Sequence, residues 1–206
     1  MNNDAEQRQH TLYHHLNAFV LLTINGILLF AFYDQFFKHE LPCPLCLLQR
    51  LGFAACMFPI ILNIRYGIRA WHYGLFLLSC VFGAAIALRQ ISLHVIPNTP
   101  TYGASFLGYH FYTWAFIAYT ALIIVTGIAL LMPNQLVPQS QPILFKQQPL
   151  WIKLVLSLTL VVILGNAVSA FLECGLGACD DNPVEYELLS KINLFLYTNG
   201  WNHHFF

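Results

Sequence analysis

Five apolar runs alternate with polar breaks along the chain, at about 16–34, 46–64, 71–89, 111–132 and 150–172. Each approaches the roughly 20 residues that a helix needs to cross a bilayer. Asp34, Lys38 and Glu40 follow the first run, Arg65 and Arg69 the second, and Arg89 the third. A loop with Pro97, Asn98 and Pro100 comes next, and a Pro- and Gln-rich connector, Pro133 to Pro149, separates the last two runs. In the second run the uncharged part, Leu51 to Ile64, is short. It reaches spanning length only if its helix begins upstream, which places Gln49 and Arg50 at the membrane surface. Pro59 can kink this helix, as lipid-embedded helices tolerate. The pattern predicts an all-α integral membrane protein, with a polytopic domain over residues 1–172 and a polar, aromatic tail over 173–206.

Composition agrees. Of the 206 residues 58% are hydrophobic and 9% charged, against about 25% charged in soluble domains. The net charge of zero leaves no footprint for nucleic acid. Met1 to His15 is polar with a single Arg, and the run after it is too long for a signal sequence, so a retained anchor is expected. Arg8, Arg65, Arg69, Lys146 and Lys153 fall on one side of the stack. Lys38, the loop after Arg89 and the acidic tail residues Glu173, Asp180, Asp181, Glu185 and Glu187 fall on the other. The positive-inside rule then puts the N-terminus in the cytoplasm and the C-terminus outside. Two close cysteine pairs, Cys43/Cys46 and Cys174/Cys179, share the outer, disulfide-permitting face. Cys56 and Cys80 lie inside runs and read as inert packing residues. Asn63 and Asn166 read as hydrogen-bond partners between helices.

The candidate chemistry centres on Pro42-Cys43-Pro44-Leu45-Cys46-Leu47-Leu48-Gln49-Arg50. Cysteines two residues apart can form an exchangeable disulfide. Pro44 suits the first position of a helix, which makes Cys43 its N-cap and puts Cys46 in the first turn. The positive end of the helix dipole favours both thiolates. Arg50, four residues after Cys46, shares its helical face, and a permanent cation favours the reactive anion. A structural disulfide or half of a zinc site is the competing reading of the same spacing.

The tail segment Glu173-Cys174-Gly175-Leu176-Gly177-Ala178-Cys179 can turn tightly enough to close a second disulfide. Asp181-Asn182-Pro183 reads as a helix start with Glu185 in the first turn, and Val184, Leu188, Ile192 and Phe195 recur near helical spacing. This predicts an amphipathic helix on the membrane, with Trp201, Phe205 and Phe206 at the interface. Two dithiols on one face suggest an electron relay by thiol–disulfide exchange. A lipid-soluble quinone near Cys46 and Arg50 would be its terminal acceptor, since a fixed cation stabilises the negative charge that builds on quinone oxygens.

A first span, then Cys-Pro-Leu-Cys-Leu-Leu-Gln-Arg, then a second span resembles the DsbB family of bacterial inner-membrane thiol–quinone oxidoreductases. The likeness covers about Leu16 to Met132. It implies a four-helix transmembrane bundle, here with a fifth transmembrane helix and a short outside tail. It implies bound ubiquinone or menaquinone, and a soluble thioredoxin-fold partner, DsbA or a relative, that inserts disulfides into secreted proteins. By resemblance Cys46 is the thiolate that meets quinone, Cys43 exchanges with the second pair, and Arg50 is the quinone-site arginine. Gln49 beside it, Arg89 with Gln90, and His94 are further quinone-site candidates. The family generally carries its second cysteine pair in the loop between the third and fourth spans. Here residues 90–110 hold no cysteine, and Cys174 and Cys179 are expected to take over the shuttle role. Which of the two meets the partner stays open at this stage.

A different class of protein is a membrane transporter or scaffold with a structural disulfide, or with a four-cysteine zinc site joining both pairs. A haem protein is a weaker rival, because His14, His15, His72, His94 and His110 all lie at run ends.

Overall fold

A computed structural model describes residues 3–95, 105–132, 136, 138–139 and 141–198. Six α-helices account for most of them: α1 (Asn3–Phe37), α2 (Pro44–Tyr66), α3 (Ala70–Leu93), α4 (Phe111–Leu131), α5 (Leu150–Cys174) and α6 (Glu187–Thr198). The first five are long and apolar enough to cross a membrane, α1 over Thr11–Phe37. The chain is therefore a multi-pass all-α membrane protein.

The helix boundaries follow from local chemistry. Cys43 caps α2 in an extended conformation, with its Sγ accepting from the Cys46 N–H, and Pro44 opens the helix, where its missing donor is harmless. Starting in the motif lengthens α2 enough to span, and it continues through Pro59 to Tyr66.

α2 is the central helix. It packs against α1, α3 and α5, while α4 joins mainly through α3 and α6 lies on α5. Ala18, Leu21, Ile24 and Leu28 form one buried stripe of α1 at helical spacing. Phe53, Met57 and Ile60 of α2 and Ile152, Val155 and Val162 of α5 complete the core. Tyr119 of α4 is fully buried because α2 and α3 carry glycine opposite it. A Cβ on Gly83 would strike its ring, and one on Gly52 would sit 2.6 Å from its hydroxyl. That hydroxyl donates to the Gln49 carbonyl at 2.6 Å, tying α4 to the turn that carries the motif.

Polar residues tie the helices elsewhere. Asn63 donates to Asn17 Oδ1 at 3.0 Å and its own Oδ1 meets His72 Nδ1 at 2.6 Å, so it links α2 to α1 and α3 as expected. Asn166 does not link helices in this way. Its amide donates back to the Val162 carbonyl of its own helix at 2.9 Å, the partner nearest in reach.

Two further features depart from expectation. The loop before α4 contains a hairpin, β1 (Ser105–Phe106) and β2 (Tyr109–His110). Its two-residue turn places Leu107 and Gly108 at positive φ, the geometry of tight hairpins. The tail helix begins at Glu187, later than the Asp181-Asn182-Pro183 start that its pattern suggests. The chain before it is irregular and bent, and the Tyr186 hydroxyl accepts from Gln35 Nε2 at 2.9 Å. Tyr186 then accepts the first helical bond, from Ser190 N–H at 3.0 Å. Val184 is left 92% exposed rather than on the helix face, while Ile192, Leu194 and Phe195 of α6 stay exposed. The expected loop residues Pro97, Asn98 and Pro100, and the interface residues Trp201, Phe205 and Phe206, lie outside the described residues.

Candidate redox site

The motif's sulfurs are joined as a Cys43–Cys46 disulfide with the Cα atoms 5.0 Å apart. Cys43 is buried, and Cys46 is partly open. Gln90, itself buried near the C-terminal end of α3, closes over the bond. Its amide nitrogen lies 3.3 Å from Cys43 Sγ and 3.6 Å from Cys46 Sγ, and its oxygen accepts from Gln49 Nε2 at 2.6 Å. Gln90 thus orients the disulfide, and Gln49 orients Gln90. The Arg89-Gln90 pair in the sequence holds a cue to this, and of the two it is Gln90 that reaches the disulfide.

Cys46, Gln49 and Arg50 line one cavity of about 520 Å³. Leu28, Phe30 and Asp34 of α1 form one wall and Phe111, Tyr112 and Trp114 of α4 the other, with Phe106 of the hairpin over it. Phe106 is fixed by the Phe30 ring, 6.0 Å between centroids, and by its carbonyl accepting from Trp114 Nε1 at 2.9 Å. The volume lies in the range of small-molecule sites, and so does the make-up: aromatic walls with a few convergent polar groups. A flat, apolar ring with two carbonyl oxygens fits such walls, and Arg50, Gln49 and Cys46 are the polar groups that would meet its edge.

Arg50 is anchored rather than free. Nη1 donates to Gln35 Oε1 at 2.6 Å, Nη2 donates to the Ala31 carbonyl at 3.0 Å, and the guanidinium stands 5.5 Å from the Phe32 ring centroid. Asp34, also at the cavity, pairs with Lys38 at 2.6 Å. That hydrogen bond holds the Lys38 ammonium above the usual lysine range.

Two expected residues are placed elsewhere. Arg89 is on the exposed face of α3 and is not among the residues that line the cavity. An arginine one position before a buried Gln90 points about 100° away around the helix, which takes it out of the site. His94 also does not line the cavity. Its Nδ1 donates to the Gln90 carbonyl at 2.7 Å, and its ring stacks at 5.3 Å on Tyr112, which does line it.

Cys174 and Cys179 form the second disulfide, with Cα atoms 4.5 Å apart, at the end of α5. Gln35 connects this end of the bundle to the cavity. Its oxygen accepts from Arg50, while its nitrogen donates to Ser169 of α5 at 2.7 Å and to Tyr186 of the tail at 2.9 Å. The C-terminal ends of α1 and α5 and the N-terminal end of α2 therefore meet at one amide, and both disulfides lie at the same end of the molecule. Glu173 is buried beside this cluster, with both carboxylate oxygens lacking a hydrogen-bond partner, and Arg50 is the cation that acts on it. Sequence reasoning missed Gln35, because nothing local marks a polar residue at a span end as a hub.

The four-cysteine zinc arrangement is not formed, since each pair is closed on itself. Among the described residues no three His, Cys, Asp or Glu side chains gather as a metal site. Cys56 and Cys80 are free, fully buried thiols with Sγ atoms 3.5 Å apart between α2 and α3.

Residues 13–104 match the family model described as Disulfide bond formation protein DsbB. Disulfide bond formation protein B of Cupriavidus pinatubonensis is 39% identical over 74 residues, 35% of this chain and 46% of that protein. Its namesake in Marinobacter nauticus is 37% identical over 92 residues, 42% of this chain and 55% of that protein. The one in Nitrosomonas eutropha is 32% identical over 90 residues, 42% and 56% of the two chains. The chain thus spans about half the length of the curated relatives it matches. No solved structure matches it. Residues 13–104, which hold the first three spans and the Cys43–Cys46 pair with its Gln90 clasp, are thus similar to the DsbB family.

Proposed function

We propose that this chain is a quinone-dependent thiol–disulfide oxidoreductase of the bacterial inner membrane. It reoxidises a periplasmic DsbA-like dithiol oxidase and passes the electrons to ubiquinone or menaquinone, which supports disulfide formation in secreted proteins. The N-terminus lies in the cytoplasm and the tail in the periplasm. The observation that carries the reading is the cavity on which Cys46, Gln49 and Arg50 converge beside a disulfide.

A quinone, when bound, accepts two electrons and two protons. Cys46 presents its sulfur to the cavity, and Arg50 holds a fixed positive charge there, pre-oriented by Gln35 and Ala31. Preorganised charge of this kind needs no rearrangement at the moment of reaction. Gln49 and Gln90 hold the sulfurs in register, and the aromatic walls exclude water. The Cys174–Cys179 pair receives electrons from the partner and delivers them to Cys43–Cys46.

The test is anaerobic quinone reduction by purified protein with a reduced thioredoxin-fold oxidase as donor. Wild type should turn over, and Cys46→Ala and Cys174→Ala should each abolish turnover. Full turnover in Cys174→Ala would remove the tail from the path. Absence of turnover in wild type with both quinone types would favour a scaffold or transporter with structural disulfides.

A further inference from the structure

The two sulfurs of the tail disulfide are not equivalent. Cys174 is the last residue of α5 and is 7% exposed. Gly175, in the left-handed region at φ 61°, closes the helix behind it and donates to the Phe171 carbonyl at 2.8 Å. The Cys174 carbonyl in turn accepts from Gly177 N–H at 3.4 Å. Cys179 sits on irregular chain, partly exposed, between exposed residues 176–178 and 180–182. Thiol–disulfide exchange depends on which sulfur an incoming thiolate can reach, and the attack runs along the S–S axis, onto the attacked sulfur from the side opposite the leaving one. The far side of Cys179 is solvent. The far side of Cys174 is the buried end of α5.

We infer that the relay is polarised: the partner's thiolate attacks Cys179 Sγ, and Cys174 is the inner sulfur that passes electrons on toward Cys43–Cys46. The inference rests on the function proposed above and assigns roles within it. In the first step the partner sulfur bonds to Cys179 Sγ, the Cys174–Cys179 bond breaks, and the electron pair goes to Cys174 Sγ. The partner's second thiolate then attacks its own mixed-disulfide sulfur and releases Cys179. The partner dithiol is oxidised by two electrons, the tail pair is reduced by two, and the partner's two protons end on Cys174 and Cys179. Cys174 is the better placed to continue, because it belongs to the helix that packs against α2.

The test uses the full wild-type chain in detergent with glutathione as the probe thiol. A brief exposure is quenched with acid, free thiols are alkylated, and the mixed disulfide is located by peptide mass mapping. Glutathione should reside on Cys179 in at least about tenfold excess over Cys174, as access to the sulfur dictates. An equal split, or a majority on Cys174, overturns the assignment. As a second measurement, Cys179 in Cys174→Ser should react with Ellman's reagent at least about tenfold faster than Cys174 in Cys179→Ser, and equal rates overturn the assignment too. Quinone reduction in the wild type is followed in parallel. Glutathione on Cys174 with quinone reduction intact means that the order is wrong and the relay stands. Glutathione on Cys179 without quinone reduction means that the polarity stands and the relay falls.

Discussion

The Cys43–Cys46 disulfide is set into the bundle, whereas the Cys174–Cys179 disulfide is set onto its end. The first is capped by its own helix start, clasped by the Gln90 amide and open toward an apolar cavity. The second joins the last residue of a helix to an exposed loop. The contrast suits two different exchange partners. A membrane-dissolved acceptor reaches a sulfur through an aromatic cleft, and a soluble protein reaches one only where the chain projects into water. Buried Cys43 adds a constraint on the proposed relay, in which exchange between the pairs would require the motif or the tail to shift enough to expose that sulfur.

The largest expected effect separates the two disulfides directly. With dithiothreitol as donor, which needs no docking surface, Cys174→Ala should keep most of its quinone reduction while Cys46→Ala shows none. Anaerobic absorbance of the quinone is the readout. Equal loss in both would mean that the tail pair supports the cavity rather than feeding it.

Next in size is Gln35→Leu, which cuts a side chain that touches both regions. Arg50, Ser169 and Tyr186 would each lose a partner. Leaving buried polar groups unpaired costs about 1–3 kcal/mol each, so turnover with the protein donor should fall about tenfold or more. If the link matters for the tail, limited proteolysis should also cut faster around Asp180 to Val184. Loss of quinone reduction with an unchanged tail would confine Gln35 to holding Arg50.

How much of this was legible beforehand depends on how local the signal was. The N-cap at Cys43, the start at Pro44 and the shared face of Cys46 and Arg50 depend on residues within one or two turns, and they are found as read. Gln35 was not legible, because its partners Ser169 and Tyr186 are 134 and 151 positions away. The hairpin over the cavity depends on Leu107 adopting a positive φ that its side chain does not favour, so no residue preference announced it. The late start of α6 has the same origin as the Gln35 hub: a tertiary bond to Tyr186 overrides a good local cap at Asp181.

A smaller effect should mark only the motif. Gln90 donates toward both sulfurs of Cys43–Cys46 and touches neither sulfur of the tail. Such a donor stabilises a thiolate more than a disulfide. Gln90→Leu should therefore make the motif pair harder to reduce, by about 30 mV for a loss of about 1.4 kcal/mol in a two-electron couple. Redox titration with alkylation and mass mapping would follow each pair separately, and the tail pair should not move. A shift of both together would mean that the two disulfides titrate as one unit.

The smallest expected effect falls on Arg89, which the family likeness offers as a quinone-site cation. Of the two arginines at this end of the bundle, Arg50 lines the cavity and is held by Gln35, Ala31 and the Phe32 ring, while Arg89 stands on the exposed face of α3. A charge in high-dielectric surroundings contributes little to a buried site. Arg89→Ala should thus leave quinone affinity, measured by fluorescence quenching of the cavity's Trp114, within about twofold of wild type. His94→Ala, which removes the ring stacked behind Tyr112, should weaken it slightly more, because Tyr112 is itself a wall of the cleft. A loss in Arg89→Ala as large as in Arg50→Ala would mean that α3 turns its charged face inward when the cleft is filled, and the placement of the acceptor between α1 and α4 would have to move toward α3.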